Sequence, residues 1–173
     1  LFKIFSLQVR VPTRGDIKQN MELKKYILII IFFNFTNFLC AAIIQPAKNF
    51  TAYDVVKIQL TALKNNNKSN KNDGIKQTWI FAHPENKKYT GPYERFEKMI
   101  LSNQYKILLN HVSHKINLVT NSEDSHIYNI ELITKNKKMF VYEWYLEKGT
   151  TDKCDSCWFT TIVLPPVNIG NII

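Results

Sequence analysis

Arginine is almost missing from this chain. There are 3 arginines among 173 residues against 20 lysines, while asparagine and isoleucine number 18 and 21. That balance fits A/T-rich codons better than selection for a polyanion-binding surface. A nucleic-acid binder would interleave arginine and aromatic residues on one face. No such stripe occurs, so nucleic acid is not expected as a partner, and the formal charge of +9 reads as a solvated basic surface. Glycine is also scarce, at 5 residues. No Gly-rich phosphate loop and no nucleophile elbow is present. With 3 cysteines, the chain is no disulfide-dense scaffold. Cys154 and Cys157 form a Cys-x-x-Cys, but the second opens a strand, whereas redox thiolates of that spacing sit at a helix N-terminus. Two thiols with no nearby histidine cannot complete a zinc set. A short-loop disulfide and two free thiols remain as alternatives. No paired metal carboxylates occur, so neither a metal nor a cofactor is expected.

What is there begins with a leader. The chain starts at Leu1, and its first methionine is Met21. Lys24 and Lys25 precede an apolar run from Tyr26 to Leu39, and Cys40, Ala41 and Ala42 supply small residues for a peptidase. Residues 21–42 are therefore expected to be a secretory signal peptide, with residues 1–20 an upstream extension or gene-model artefact. The alternative is an uncleaved signal anchor and a single-pass, membrane-anchored protein. The apolar run is shorter than the roughly 20 residues of a spanning helix. Residues 43–173 keep 17 basic and 12 acidic side chains. About 130 residues make one domain with a core of its own. Its expected parts are a short linker at 43–50, an α+β domain at 51–166 and a tail at 167–173.

Thr51 and Asp54 have the spacing of a capping box, opening a helix that runs to about Leu63. Residues 64–74, rich in Asn and Lys, predict an exposed loop. A second helix is expected from Gly74 to Ala82, stopped by Pro84. A third starts at Gly91 as N-cap and Pro92 in the first turn. The period then changes from helical to two. Val112, His114, Ile116 and Leu118 alternate with polar neighbours, as do Tyr128, Ile130 and Leu132, then Phe140, Tyr142, Trp144 and Leu146. Cys157 to Leu164 is a fourth run. These predict half-buried antiparallel strands, joined by turns at 121–125, 134–138 and 148–153. Three N-terminal helices packed on a curved four-stranded antiparallel sheet is the expected α+β layout.

One stretch is more specific. Trp79-x-Phe81-Ala82-x-Pro84-x-Asn86-Lys87-x-x-Thr90-Gly91-Pro92-x-x-Arg95-Phe96, with Val56-x-x-Gln59-Leu60-x-Ala62-Leu63 before it and Cys157-Trp158 after it, resembles the family described as domain of unknown function 4864. The resemblance implies the cone-shaped α+β fold of nuclear transport factor 2, in which three helices cover a curved sheet and leave a pocket at the wide end. It implies no activity. Lys87 stands where that family commonly has arginine, and the Asn/Lys loop and the signal sequence also depart from the usual pattern.

Arg95 is the one arginine after the leader. A planar fork retained among lysines points either to a structural clamp on carbonyls near Asn86–Thr90 or an acid, or to recognition of a carboxylate or phosphate. Pro84, Asn86, Thr90, Gly91, Pro92 and Phe96 read as the structural turn around it. Gln59 lies mid-face on the first helix, either as a core amide bonded to nearby backbone or as a ligand-facing one. Strand parity points His114 inward, as a satisfied core histidine or a weak candidate catalytic base. The same parity points His111 outward, so His-x-x-His on a strand cannot chelate one metal ion through both rings. Tyr128, Tyr142 and Trp144 face inward, as ordinary packing or as the wall of a pocket. Asn49 and Asn67 begin glycosylation sequons on exposed segments.

These features predict a secreted or endomembrane domain that binds an unknown small ligand or protein, or pairs with itself as a homodimer. An enzyme is the weaker expectation, in the form of a cofactor-free isomerase or lyase using His114 with tyrosines. A protein-interaction module without a pocket is the third. A closed apolar pocket favours binding, and a polar one with His114 at its base favours catalysis.

Overall fold

The computed structural model describes residues 43–171. The expected signal peptide and the extension before it lie outside the described residues. Thr51 starts the first helix, α1 (Ala52–Lys64), in the expected way. Its hydroxyl accepts from the Asp54 N–H at 3.1 Å, and the Asp54 carboxylate accepts from the Thr51 N–H at 3.0 Å. The expected linker at 43–50 is docked on the domain. Ile44 exchanges hydrogen bonds with the Gln77 carboxamide through both its N–H and its C=O, each at 2.8 Å. The Phe50 ring lies 6.3 Å from that of Phe81.

The second helix, α2 (Asp73–Ile80), passes close to α1. A Cβ on Gly74 would lie 2.2 Å from the Ala62 carbonyl oxygen, so glycine is what permits this approach. The Asn-rich loop between the two helices is not simply exposed. Asn66 and Asn72 are buried. Asn66 Oδ1 accepts from Ile75 N–H at 3.3 Å, and Asn72 Nδ2 donates to Glu97 Oε1 at 2.8 Å. The Asp73 carboxylate gathers backbone N–H groups of Asn67, Ser69, Asn70 and Gly74. Short polar side chains bonding local backbone turn a polar run into a packed corner.

Pro84 does not stop α2. Phe81 caps that helix, and Pro84 is the first residue of an additional one, α3 (Pro84–Thr90), where its missing N–H costs nothing. Gly91, expected to open the next helix, instead ends α3 with φ +81°. Pro92 is the residue ahead of α4 (Tyr93–Ile100), and a 3-10 turn follows at Lys106–Leu108. The described residues thus hold four α-helices where three were expected.

The sheet is antiparallel in the order β1 (Ser113–Asn121), β2 (Ser125–Ile133), β3 (Lys138–Thr151), β4 (Cys154–Val163). The expected tail contributes a fifth strand. β5 (Val167–Asn171) pairs with β3, with Val167 opposite Val141. Pro165 and Pro166 have no N–H for a ladder and separate β4 from β5 on the same edge of β3. β3 and β4 run into the expected turn at 148–153, leaving only Asp152 and Lys153 between them.

Inward parity holds for β2 and β3. Tyr128, Ile130, Leu132, Tyr142, Trp144 and Leu146 are all buried, in one core with Val56 and Leu60 of α1, Ile75 of α2, and Phe96 and Ile100 of α4. It fails for much of β1. Val112 precedes the strand and is 49% exposed, and Leu118 is 54% exposed. β1 is an edge strand whose register shifts between Leu118 and Thr120, so its second half leaves the core. The other free edge, at Thr160, is covered: His83 N–H donates to Thr160 O and Thr160 N–H to Phe81 O, each at 2.8 Å.

Gly74→Ala is expected to destabilise the domain by about 1–3 kcal/mol or more, because a methyl group must displace helix backbone rather than a side chain. Chemical denaturation measures this, and an unchanged midpoint would count against the α1–α2 contact.

Candidate ligand cavity

Gln59 is buried, with 1% of its surface exposed. Its orientation follows from its partners. The Trp144 indole can only donate and the Thr78 carbonyl can only accept. Gln59 Oε1 therefore accepts from Trp144 Nε1 (3.2 Å) and Thr160 Oγ1 (2.6 Å), and Nε2 donates to Thr78 O (3.1 Å). Trp144 Nε1 is shared with Thr160 Oγ1 at 3.0 Å. One carboxamide thereby ties α1, α2, β3 and β4 together.

This network forms the floor of a cavity of about 240 Å³. Leu63, Phe96, Ile100 and Leu108 supply apolar wall, and Ala82 leaves room. The mouth is ringed by half-buried Asn86, Thr90, Met99 and Tyr105. Four consecutive residues, Thr160 to Val163, line the β4 side. A regular strand would present only every second one. The register shift between Tyr145 and Leu146 makes Thr161 the extra residue, since Thr160 faces Leu146 and Ile162 faces Tyr145. Thr160 and Thr161 were not singled out in the fourth run; a Thr pair inside an apolar stretch was the hint.

Among the described residues the cavity wall carries no Asp, Glu, Lys, Arg or His. Its one titratable group, Tyr105, donates to Val163 O at 3.0 Å, and burial pushes its phenol up, so it stays neutral. A second, shallower depression of about 560 Å³ lies elsewhere, beside His111, Lys106, Lys135 and Lys138.

Of the sequence-derived candidates, Gln59 and Trp144 meet in the cavity, and Asn86, Thr90 and Phe96, assigned to the structural turn, line it too. Asn86 Nδ2 donates to Thr161 O at 2.8 Å, clamping α3 to the bulged strand. Arg95 does not make the expected clamp. Its side chain is exposed, lies against Gly91, and makes no hydrogen bond or ion pair among the described residues. Lys87 does that work. Its Nζ donates to Ile80 O at 3.0 Å and lies 5.4 Å from the Trp79 ring centre, with its pKa lowered by burial.

His114, Tyr128 and Tyr142 do not reach the cavity. Tyr142 donates its hydroxyl to Gln104 O at 3.1 Å, and burial pushes its phenol up. Tyr128 pairs across the strands with Trp144 but is not part of the cavity lining; its hydroxyl bonds His126 Nδ1 at 3.0 Å, and its phenol is also raised by burial. The expectation that His111 points outward fails, because it precedes β1 and strand parity does not govern it. His111 is 4% exposed. Its Nδ1 bonds Leu108 O at 2.7 Å and its Nε2 meets His114 Nδ1 at 2.6 Å. The carbonyl can only accept, so in the neutral pair His111 Nδ1 carries a proton and His114 Nδ1 donates to His111 Nε2. Burial holds His111 down at about 4, with His114 and Lys64 adding to the shift and the Leu108 carbonyl opposing it. His114 is lowered by burial and Lys64.

A disulfide joins Cys154 and Cys157, both buried beside Phe159. The sequon residues Asn49 and Asn67 are exposed. Among the described residues no helix is long and apolar enough to cross a membrane, and no group of three or more His, Cys, Asp or Glu is placed to hold a metal ion. Comparison with known proteins finds no matching family model, curated protein or solved structure.

Two measurements check these assignments. Lys87→Met should cost about 1–3 kcal/mol by leaving the Ile80 carbonyl without its charged donor, whereas Arg95→Lys should stay within about 0.5 kcal/mol; the reverse order in thermal melts would restore Arg95 as the clamp. His111 has a folded pKa below its unfolded 6.5, so its contribution is complete above pH 6.5 and is lost as pH falls towards 4. The loss is roughly 3 kcal/mol at pH 4, and urea titrations from pH 7 to 4 should show it shrinking in His111→Gln.

Proposed function

We propose that this domain binds a small molecule in the cavity between the helices and the β3–β4 end of the sheet. One observation carries the proposal: a 240 Å³ space with an apolar wall, a neutral rim and a hydrogen-bonded floor at Gln59, Trp144 and Thr160. Binding sites combine largely apolar walls with a few placed polar groups in this way, usually at somewhat larger volumes. The cone fold of nuclear transport factor 2 and membership of the domain of unknown function 4864 family belong to the same proposal. They are supported by the Trp79–Phe96 pattern and by helices packed on an antiparallel sheet. A secretory or endomembrane setting is supported by the Met21–Ala42 pattern. Catalysis by His114 with tyrosines is disfavoured, since the histidine pair is neutral, hydrogen-bonded and away from the cavity wall.

Met99 is half-buried on α4 and faces the cavity, so Met99→Trp should fill it without opening the core. Native mass spectrometry of protein from its own host is expected to show a bound small molecule in the wild type and none in Met99→Trp. Ligand-free protein in both, with cooperative melting in both, would reject the proposal.

A further inference from the structure

We infer that the cavity takes an uncharged molecule with an apolar body and one hydrogen-bond acceptor, and that Gln59 recognises the acceptor. The inference rests on the binding function proposed above and adds the class of ligand.

Three observations lead to it. First, among the described residues the lining holds no ionisable side chain except Tyr105, whose hydroxyl already donates to Val163 O. A buried charge without a counter-charge or several donors is strongly disfavoured. Ions of either sign therefore meet no counter-charge among the described lining residues. Second, the volume of about 240 Å³ exceeds a cavity of about 150 Å³ that holds benzene, and falls below the range for drug-sized ligands. Roughly ten to fifteen non-hydrogen atoms fit that interval.

Third, the polar capacity of the floor is lopsided. Gln59 Oε1 accepts two hydrogen bonds, from Trp144 and Thr160. The Trp144 indole proton and the Thr160 hydroxyl proton are both used inside the network. A primary carboxamide has two N–H groups, and one of those on Gln59 reaches Thr78 O. The second has no acceptor among the described residues, on a side chain that lines the cavity. Within the Gln59–Trp144–Thr160 network, the side-chain group left without a partner among the described residues is thus a neutral N–H donor, on a carboxamide held by three neighbours. A carbonyl or ether oxygen matches it.

The test uses three neutral or charged probes with the same phenylbutyl body, together with a hydrocarbon. Ligand-free protein is titrated by calorimetry with butylbenzene, 4-phenylbutan-2-one, 4-phenylbutanoate and 4-phenylbutylammonium. The Gln59 side-chain amide is followed by two-dimensional proton–nitrogen NMR. The hydrocarbon and the ketone are expected to bind, and both ions to bind roughly a hundredfold more weakly than the ketone or worse. The ketone alone should move one Gln59 amide proton downfield. Met99→Trp should abolish binding of both neutral probes. An ion within a hundredfold of the ketone, or a Gln59 amide unmoved by it, overturns the ligand class while Met99→Trp still confirms the cavity. Absence of binding by every probe, or binding unchanged in Met99→Trp, overturns the binding function itself. Because the amide signal is read in the wild type, the outcome does not depend on whether a Gln59 variant folds.

Discussion

Everything around the cavity depends on one buried carboxamide. Among the described residues, Gln59 is the only side chain that bonds to Thr78 of α2, Trp144 of β3 and Thr160 of β4 together. Left unpaired, each of those buried polar groups would carry a penalty of about 1–3 kcal/mol. The helices and the sheet are thus held at the spacing of hydrogen bonds instead of collapsing to apolar contact. Trp144 is fully buried and keeps its indole N–H satisfied only through this arrangement. Hydrogen-bonded buried networks rigidify packing, and here the same network, with one Gln59 N–H left without an acceptor among the described residues, also forms a cavity floor.

The opposite wall is built by a disturbance in β4. A bulge at Thr161 turns Thr160 to Val163 towards the cavity and frees the Thr161 carbonyl from the regular ladder. Asn86 covers that carbonyl from α3. Pro165 and Pro166 then end the strand before β5 resumes the pairing. α3 itself is anchored at its start by the His83–Thr160 backbone bond and, from its first turns, by Lys87 reaching back to Ile80. The segment from Trp79 to Phe96 is therefore a device for satisfying backbone groups at a cavity wall. That explains why a run punctuated by Pro84, Asn86, Thr90 and Gly91 sits next to the site rather than on a remote loop.

Legibility in the sequence followed the range of the forces. The capping box at Thr51 and Asp54, and the inward row of Tyr142, Trp144 and Leu146, were legible because each depends on near neighbours in the chain. α3 was not, because a proline was read as a stop when its fixed φ serves equally as a start. His111 was misplaced because parity was extended beyond the end of β1. β5 was taken for a tail; its run of five residues is short and wholly exposed, and only pairing to β3 makes it a strand. For the site, Gln59 and Trp144 could be singled out separately, but their meeting spans 85 positions. Thr160 was invisible, since only a bulge in three dimensions brings it to the floor. Arg95 drew attention through rarity, and rarity reflects codon usage as much as contact. The less conspicuous Lys87 holds the carbonyl.

The cavity also runs against the economy of a small core. A dry void of 240 Å³ would forfeit up to about 6 kcal/mol by the scaling of core-truncation variants, a large part of the stability of any domain this size. Its half-buried rim admits solvent, which lowers that figure without removing it, because an apolar wall gains little from water. Larger side chains at Ala82 or Thr160 would close the space. Ala82 leaves the volume open, while Thr160 supplies the hydroxyl that orients Gln59. A floor that fixes a polar group and a wall that refuses charge are of use to a molecule entering the cavity. Neither is needed for the packing of the fold alone.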